Sequence, residues 1–392
     1  MRTLPRYIVT AVAFATLAAP VTAQTGQDHA AIRARVQAVL DSLHANGRFA
    51  GATAAAVLAD GTTLAFAVGE SDSVAGVPMR PTDRMLAGSV GKTFFAAVAL
   101  QLVHEGRIAL DDPLSKYLGD EPWWQNESGR VRLPNGRDIT LRMLMRHTSG
   151  IVRYEFNPAF TSALTSDPYR VWRPAEQIAY VLDTEPPFAA GQGWEYSDTN
   201  YILLAMVIEK VTGERAYDLI RSRILEPLRL TNTVPSDSPV IPGLVQGYAG
   251  ANNPFGGADA VLVDGRLAFN PQFEWAGGGY ATTATDLARW ARDLYEGRAF
   301  DATLLPQVLD GVEAPQLGRG ARYGLGVIIR DTPLGPAWGH SGYFPGYLTE
   351  MRYFPDHRIA VAFQVNSSTG RDVGRSTAAI VQMLGEAVMG QR

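Results

Sequence analysis

Cysteine is absent from the 392-residue sequence. That one absence excludes a disulfide framework, a thiolate metal site, a cysteine nucleophile and a lipid-attachment cysteine together. Lysine is nearly absent as well: of 35 basic residues only three are lysines, Lys92, Lys116 and Lys210. Arginine stays protonated under ordinary conditions, whereas a lysine amine loses its proton once its surroundings lower its pKa. A site that needs a neutral amine cannot use arginine. The sequence also lacks any run of like charge or basic aromatic patch, and its formal net charge is -4. Neither nucleic acid nor a membrane surface is therefore expected as a partner. Six histidines are scattered without an H-E-x-x-H or comparable spacing, so no metal is expected, and no motif calls for another cofactor.

No apolar run reaches the roughly 20 residues that a membrane span requires. The nearest approach is N-terminal, where Arg2 and Arg6 precede an apolar segment from Tyr7 to Ala19 that Pro20 interrupts. Val21-Thr22-Ala23 then places small residues where a signal peptidase needs them. Residues 1–23 read as a cleavable export signal, with cleavage after Ala23 and a periplasmic or secreted product that is not inserted in a membrane.

What is present is ample material for a large core, with 46% hydrophobic and 19% charged residues. Ile32, Val36, Val39, Leu40 and Leu43 recur at helical spacing. "GATAAAVLAD" and "TTLAFAVGE" flank Asp60-Gly61, a dipeptide suited to a tight hairpin. A long helix is expected from about Ser89 to Gly106, and two more on either side of Thr212-Gly213. Strand-like runs return in "RYGLGVIIRD", "YLTEMRYFP" and "RIAVAFQVN", followed by a last helix in "RSTAAIVQMLGEAVMG". Strands at both ends with helices between them predict a mixed α/β (α+β) fold. An antiparallel sheet flanked by helices and built from both chain ends would carry an inserted, mostly helical domain. The expected division is residues 24–87 and 280–392 for the sheet domain and 88–279 for the helical one.

The chemistry centres on "AGSVGKTFF". A residue three positions along a helix lies one turn up on the same side, so Ser89 and Lys92 can touch, and a neutral amine there can take the hydroxyl proton. An S-x-x-K match arises about once in a chain of this length from composition alone, so the pair decides nothing by itself. Further on, "GWEYSDTNY" offers Tyr196, Asp198 and Asn200 before a helix, and "AWGHSGYFPG" places His340 and Gly342 on a strand leading to a turn. Taken in order, Ser89-Val90-Gly91-Lys92, Tyr196-Ser197-Asp198 and His340-Ser341-Gly342 resemble the three motifs of the serine β-lactamase and penicillin-binding protein superfamily. The resemblance is to the branch that holds class C β-lactamases, D-alanyl-D-alanine carboxypeptidases, D-aminopeptidases and related esterases. It runs from about Asp28 to Gln382 and includes "LMRHTSGI" and "GGGYATTATDLARW".

That resemblance implies a serine hydrolase in which Ser89 is acylated while Lys92 and Tyr196 share the proton transfers as one coupled unit. The oxyanion would lie between the backbone N-H groups of Ser89 and Tyr343. Asp198, His340, Ser341, Gly342 and Tyr343 would bind a small-molecule or peptide substrate, with Gly342 letting the substrate backbone approach the strand. Two departures stand out. Asp198 occupies a slot that usually holds asparagine, and its charge favours a protonated Lys92. His340 stands where β-lactamases have lysine, and an imidazole holds a β-lactam carboxylate less firmly than a permanent cation. Peptidase, carboxypeptidase or esterase activity is therefore expected ahead of a class C-like β-lactamase. A non-catalytic penicillin-binding or sensor protein is disfavoured, because a binding module needs no titratable amine beside a hydroxyl.

Other readings remain local. His147 is expected to hydrogen-bond the turn after a helix. Trp338, Tyr343 and Phe344 are expected either to wall the substrate site or to pack, and Trp123 and Trp124 either to form a loop over the cleft or to pack. "AGSVG" falls one residue short of the G-x-S-x-G elbow of α/β-hydrolases, and neither a buried strand before Ser89 nor a parallel βαβ alternation accompanies it.

Overall fold

Alanine dominates the first strand and decides how closely the layers pack around it. In the computed structural model, which describes residues 21–250, 253 and 259–391, β1 (Gly51–Val57) is buried along its whole length. Ala52, Ala54 and Ala56 face one core and Ala55 and Val57 the other, the period-two alternation of a strand covered on both sides. β2 (Thr63–Asp72) returns beside β1 through the Asp60-Gly61 turn, in a register running from Val57↔Thr63 to Gly51↔Gly69. Gly61 takes φ +92 there, which is the freedom the hairpin requires.

The remaining strands of this sheet are β3 (Val77–Pro78), β4 (Val312–Glu313), β5 (Arg322–Tyr323), β6 (Ile328–Thr332), β7 (Gly335–Phe344), β8 (Tyr347–Phe354) and β9 (Ile359–Val365). They form nine strands in the order β3-β2-β1-β9-β8-β7-β6-β5-β4, antiparallel throughout. β1 and β9 are direct neighbours, with Ala52 opposite Val365 and Val57 opposite Ala360, so the sheet is built from both chain ends as its pattern predicts.

Helices cover both faces. α1 (Val21–Asn46) brings Val36, Leu40 and Leu43 onto one face, where they meet Ile380, Val381 and Leu384 of the last helix and the outward alanines of β1. The expected signal segment lies outside the described residues except for Val21–Ala23, which open α1. On the other face lie α2 (Lys92–His104), α3 (Leu141–Arg146), α4 (Thr199–Thr212), α5 (Ala216–Ile220) and α6 (Ala284–Tyr295). α7 (Thr377–Met389) is the last helix. Gly213, at φ +74, ends α4 where the Thr212-Gly213 break is expected. Among the described residues no helix is long and apolar enough to cross a membrane. Trp123 and Trp124 belong to the larger core, their rings 5.9 Å apart, and neither lines the cleft described below. Their burial makes them packing residues, which corrects the idea of a loop over the cleft.

Candidate active site

Two backbone segments approach each other too closely for side chains, and this close approach creates the site. Gly88 (φ +51) begins a 3-10 turn, Gly88–Gly91, that feeds α2. A Cβ on Gly88 would lie 2.7 Å from the Tyr343 nitrogen, and one on Gly342 would lie 1.9 Å from the Ala87 carbonyl oxygen. Gly342 is therefore needed because β7 presses against the segment before Ser89. This backbone contact within the chain is by itself a sufficient reason for glycine at this position. The same contact sets the Tyr343 amide beside the residue preceding Ser89. On the opposite side, a Cβ on Gly91 would meet the Gly278 carbonyl oxygen at 1.6 Å.

Lys92 follows the 3-10 turn and is fully buried. Its ammonium donates to Ser89 Oγ at 3.1 Å, to an Asp198 carboxylate oxygen and to the Gly277 carbonyl. Three acceptors match the three protons of a charged lysine. Burial pulls the Lys92 pKa down, but Asp198, then Tyr196, more than compensate and leave it above its ordinary value. The amine also stands 4.9 Å from the centroid of the Tyr196 ring. The Tyr196 hydroxyl is buried without a hydrogen bond of normal geometry. Burial raises its pKa, while Lys92 and Ser89 lie near enough to offset part of that rise. The amine, hydroxyl and phenol are thus brought together.

The Tyr196 turn is positioned by His147, which sits in the left-handed region at φ +62 as the C-cap of α3. Its ring lies 4.2 Å from that of Tyr196, and its Nδ1 accepts from the Ser197 backbone N-H at 3.3 Å. Burial and the Lys92 charge hold His147 neutral, as an acceptor must be.

His340 is also a neutral ring. Burial, with Lys92 adding to it, pushes its pKa down to about 3. Its Nδ1 lies 2.7 Å from the Ser341 carbonyl and its Nε2 2.8 Å from the Tyr323 hydroxyl. A carbonyl only accepts, so Nδ1 carries the proton and Nε2 accepts from Tyr323. Both nitrogens are occupied within the protein.

A cavity of about 830 Å³ opens over these groups. Ser89, Tyr196, Asp198, His340, Ser341, Gly342 and Tyr343 all line it, together with Phe344. Trp338 does not, and packs instead on Tyr295 and Tyr353.

This cleft coincides with a match to the Beta-lactamase family over residues 34–383. The chain belongs to the Beta-lactamase family. A solved member of this fold, the D-stereospecific amidohydrolase from Streptomyces sp., is 30% identical with a TM-score of 0.75, covering 92% of this chain and 99% of that one. The D-aminopeptidase of Brucella anthropi is 28% identical over 81% of this chain and 56% of its own length, so the chain spans just over half of that relative. Esterase EstB of Burkholderia gladioli is 27% identical over 82% of both chains.

Within this Beta-lactamase family frame, sequence reasoning missed several residues at the site. Arg153 bridges Asp198 at 3.0 Å and Glu155 at 2.6 Å. Burial alone would raise the Asp198 carboxyl, yet Lys92 and Arg153 hold it well below the usual range. Burial, then the Asp198 charge, push Glu155 well above its usual value. Glu274 lines the same cavity, on a turn where Trp275 takes the strained φ of +35. The one available signal for Arg153 and Glu155 was charge immediately after "LMRHTSGI". For Glu274 it was the glycine run at 277–279.

Proposed function

We propose that this chain is an exported serine hydrolase that works through an acyl-enzyme on Ser89, acting on D-amino-acid peptides, amides or small esters. The observation that carries the reading is the 3.1 Å contact between Ser89 Oγ and a buried, fully hydrogen-bonded Lys92. Ser89 attacks the substrate carbonyl, and the Lys92–Tyr196 pair takes its proton and returns one to the leaving group. Water then releases the acyl group by the reverse transfers. The backbone N-H groups of Ser89 and Tyr343 receive the developing oxyanion, a contribution of about 10²–10³ in rate. The similarity to an amidohydrolase, an aminopeptidase and an esterase supports carbonyl chemistry of this type.

Among the described residues, the cleft offers a substrate carboxylate no unpaired cation. Arg153 is committed to Asp198 and Glu155, Lys92 to its three acceptors, and His340 is neutral. This supports amides and esters ahead of β-lactams, and ahead of peptides cleaved beside a free C-terminal carboxylate. The test compares nitrocefin, a p-nitrophenyl ester, a D-amino-acid p-nitroanilide and a D-Ala-D-Ala peptide. It uses protein recovered from outside the cytoplasm, whose intact mass should begin at Gln24. Turnover of the ester and anilide with slow nitrocefin cleavage is expected. Preferential nitrocefin hydrolysis would favour the β-lactamase reading, stable penicillin labelling without turnover the sensor reading, and retention of residues 1–23 would remove export.

Asp198 sets the pH dependence. Its negative charge raises the Lys92 pKa, so the neutral amine becomes available only at higher pH. Asp198→Asn removes that charge and lowers the Lys92 pKa, and the rising limb of the kcat/KM profile should move to lower pH by about 1 unit. An unmoved limb would take Asp198 out of the proton chemistry.

A further inference from the structure

Acyl transfer leaves two carboxyls of the cavity unused, Glu155, which is paired with Arg153, and Glu274, which has no cation beside it in an ion pair among the described residues. The Glu274 Oε2 accepts from the Gly279 N-H at 3.1 Å, closing the 274–279 turn. Its Oε1 lies against Gly278, 2.1 Å from the point where a Cβ would sit, and the Gly88 carbonyl oxygen lies 2.6 Å from that same point. The carboxyl thus stands beside the residue that precedes Ser89. Among the described residues it forms no ion pair, because Lys92 is spent on Ser89, Asp198 and Gly277, and Arg153 on Asp198 and Glu155. Burial pushes its pKa up to about 8, with the Gly279 N-H and Lys92 opposing that rise. An unpaired buried carboxyl costs stability and packs no better than an uncharged side chain of its size. A cation arriving through the cavity would offset that cost. The cavity lining also includes the apolar side chains of Phe156, Phe273, Leu317 and Phe344, which suit a bulky hydrocarbon substituent.

We propose that Glu274 is a specificity-determining residue that receives the ammonium group of the substrate, so that the preferred substrates are amides or esters of α-amino acids whose amine is free. The inference rests on the acyl-enzyme reading above. In an α-aminoacyl group the nitrogen and the carbonyl carbon are about 2.5 Å apart. An amine held at Glu274 therefore keeps the carbonyl close to Ser89.

The experiment compares phenylalanine p-nitroanilide, as both enantiomers, with its 3-phenylpropionyl counterpart, which lacks only the amine. The native protein should prefer the better amine-bearing enantiomer by about 10- to 100-fold in kcat/KM, as for a charge-assisted hydrogen bond. Glu274→Gln should erase that preference while changing the des-amino rate by less than about twofold, because the amide keeps the shape and the Gly279 contact. An equal loss on both substrates would mean that Glu274 only shapes the turn, and overturns the inference. So does native protein that hydrolyses both congeners without preference, an outcome that leaves the acyl-enzyme reading standing. Hydrolysis of neither, with Ser89 never acylated, overturns both.

Discussion

Ser89→Ala removes turnover on every substrate the protein accepts, with kcat falling by about 10⁴ or more, while the folded state survives. The two halves of this expectation have separate physical grounds. Chemistry should be lost because the proposed mechanism makes Ser89 Oγ, within hydrogen-bond distance of Lys92, the nucleophile, and alanine leaves the amine with no hydroxyl to deprotonate. The fold survives because Ser89 is only half-buried at the floor of an open cavity. Water entering there replaces the lost acceptor, and Lys92 keeps Asp198 and Gly277. Rates on the best ester, together with a denaturation midpoint, check both halves. Undiminished activity in the variant would end the acyl-enzyme assignment.

Gly91→Ala is expected to do the opposite and damage the framework first. The new methyl would fall 1.6 Å from the Gly278 carbonyl oxygen and 2.5 Å from its carbon. Both obstacles are backbone, so no rotamer change relieves them, and overpacking of this kind costs about 3 kcal/mol or more. Gly91 itself has an ordinary helical φ of -58, so backbone strain plays no part. Any relief moves the 274–279 turn, which carries both the Gly277 acceptor of Lys92 and the Glu274 carboxyl. Stability and kcat should therefore fall together. A variant with native stability and native rate would show that the two segments are not in contact.

These two expectations differ in how far the sequence announces them. The helical offset between Ser89 and Lys92 is local, and so are the Asp60-Gly61 hairpin and the Gly213 stop; each could be read directly from spacing. Gly91 was legible as part of a motif, but its cause was not, because the obstructing carbonyl belongs to Gly278, which lies far along the chain. Gly342 repeats the pattern with Ala87. Arg153 and Glu155 look like ordinary surface charges in "IVRYEF" until the chain folds them against Asp198. Glu274 is hidden further, since it sits on a turn whose next residue, Trp275, is held at a φ that no propensity favours. In each case the missing information was which distant backbone or charge faces the residue.

The pairing of the first strand with the last also has a bearing on how the chain reaches its native state. The Gly51 N-H is satisfied by the side chain of Asn366, 315 residues away. During synthesis the β1–β2 hairpin must wait, one flank open, until Ile359–Val365 emerge before its permanent neighbour exists. Closing so long a loop is entropically costly, and topologies ruled by distant pairings fold slowly. A ribosome stalled before Ile359 would release a product whose alanine-rich strand is an uncapped edge, open to pairing with other chains.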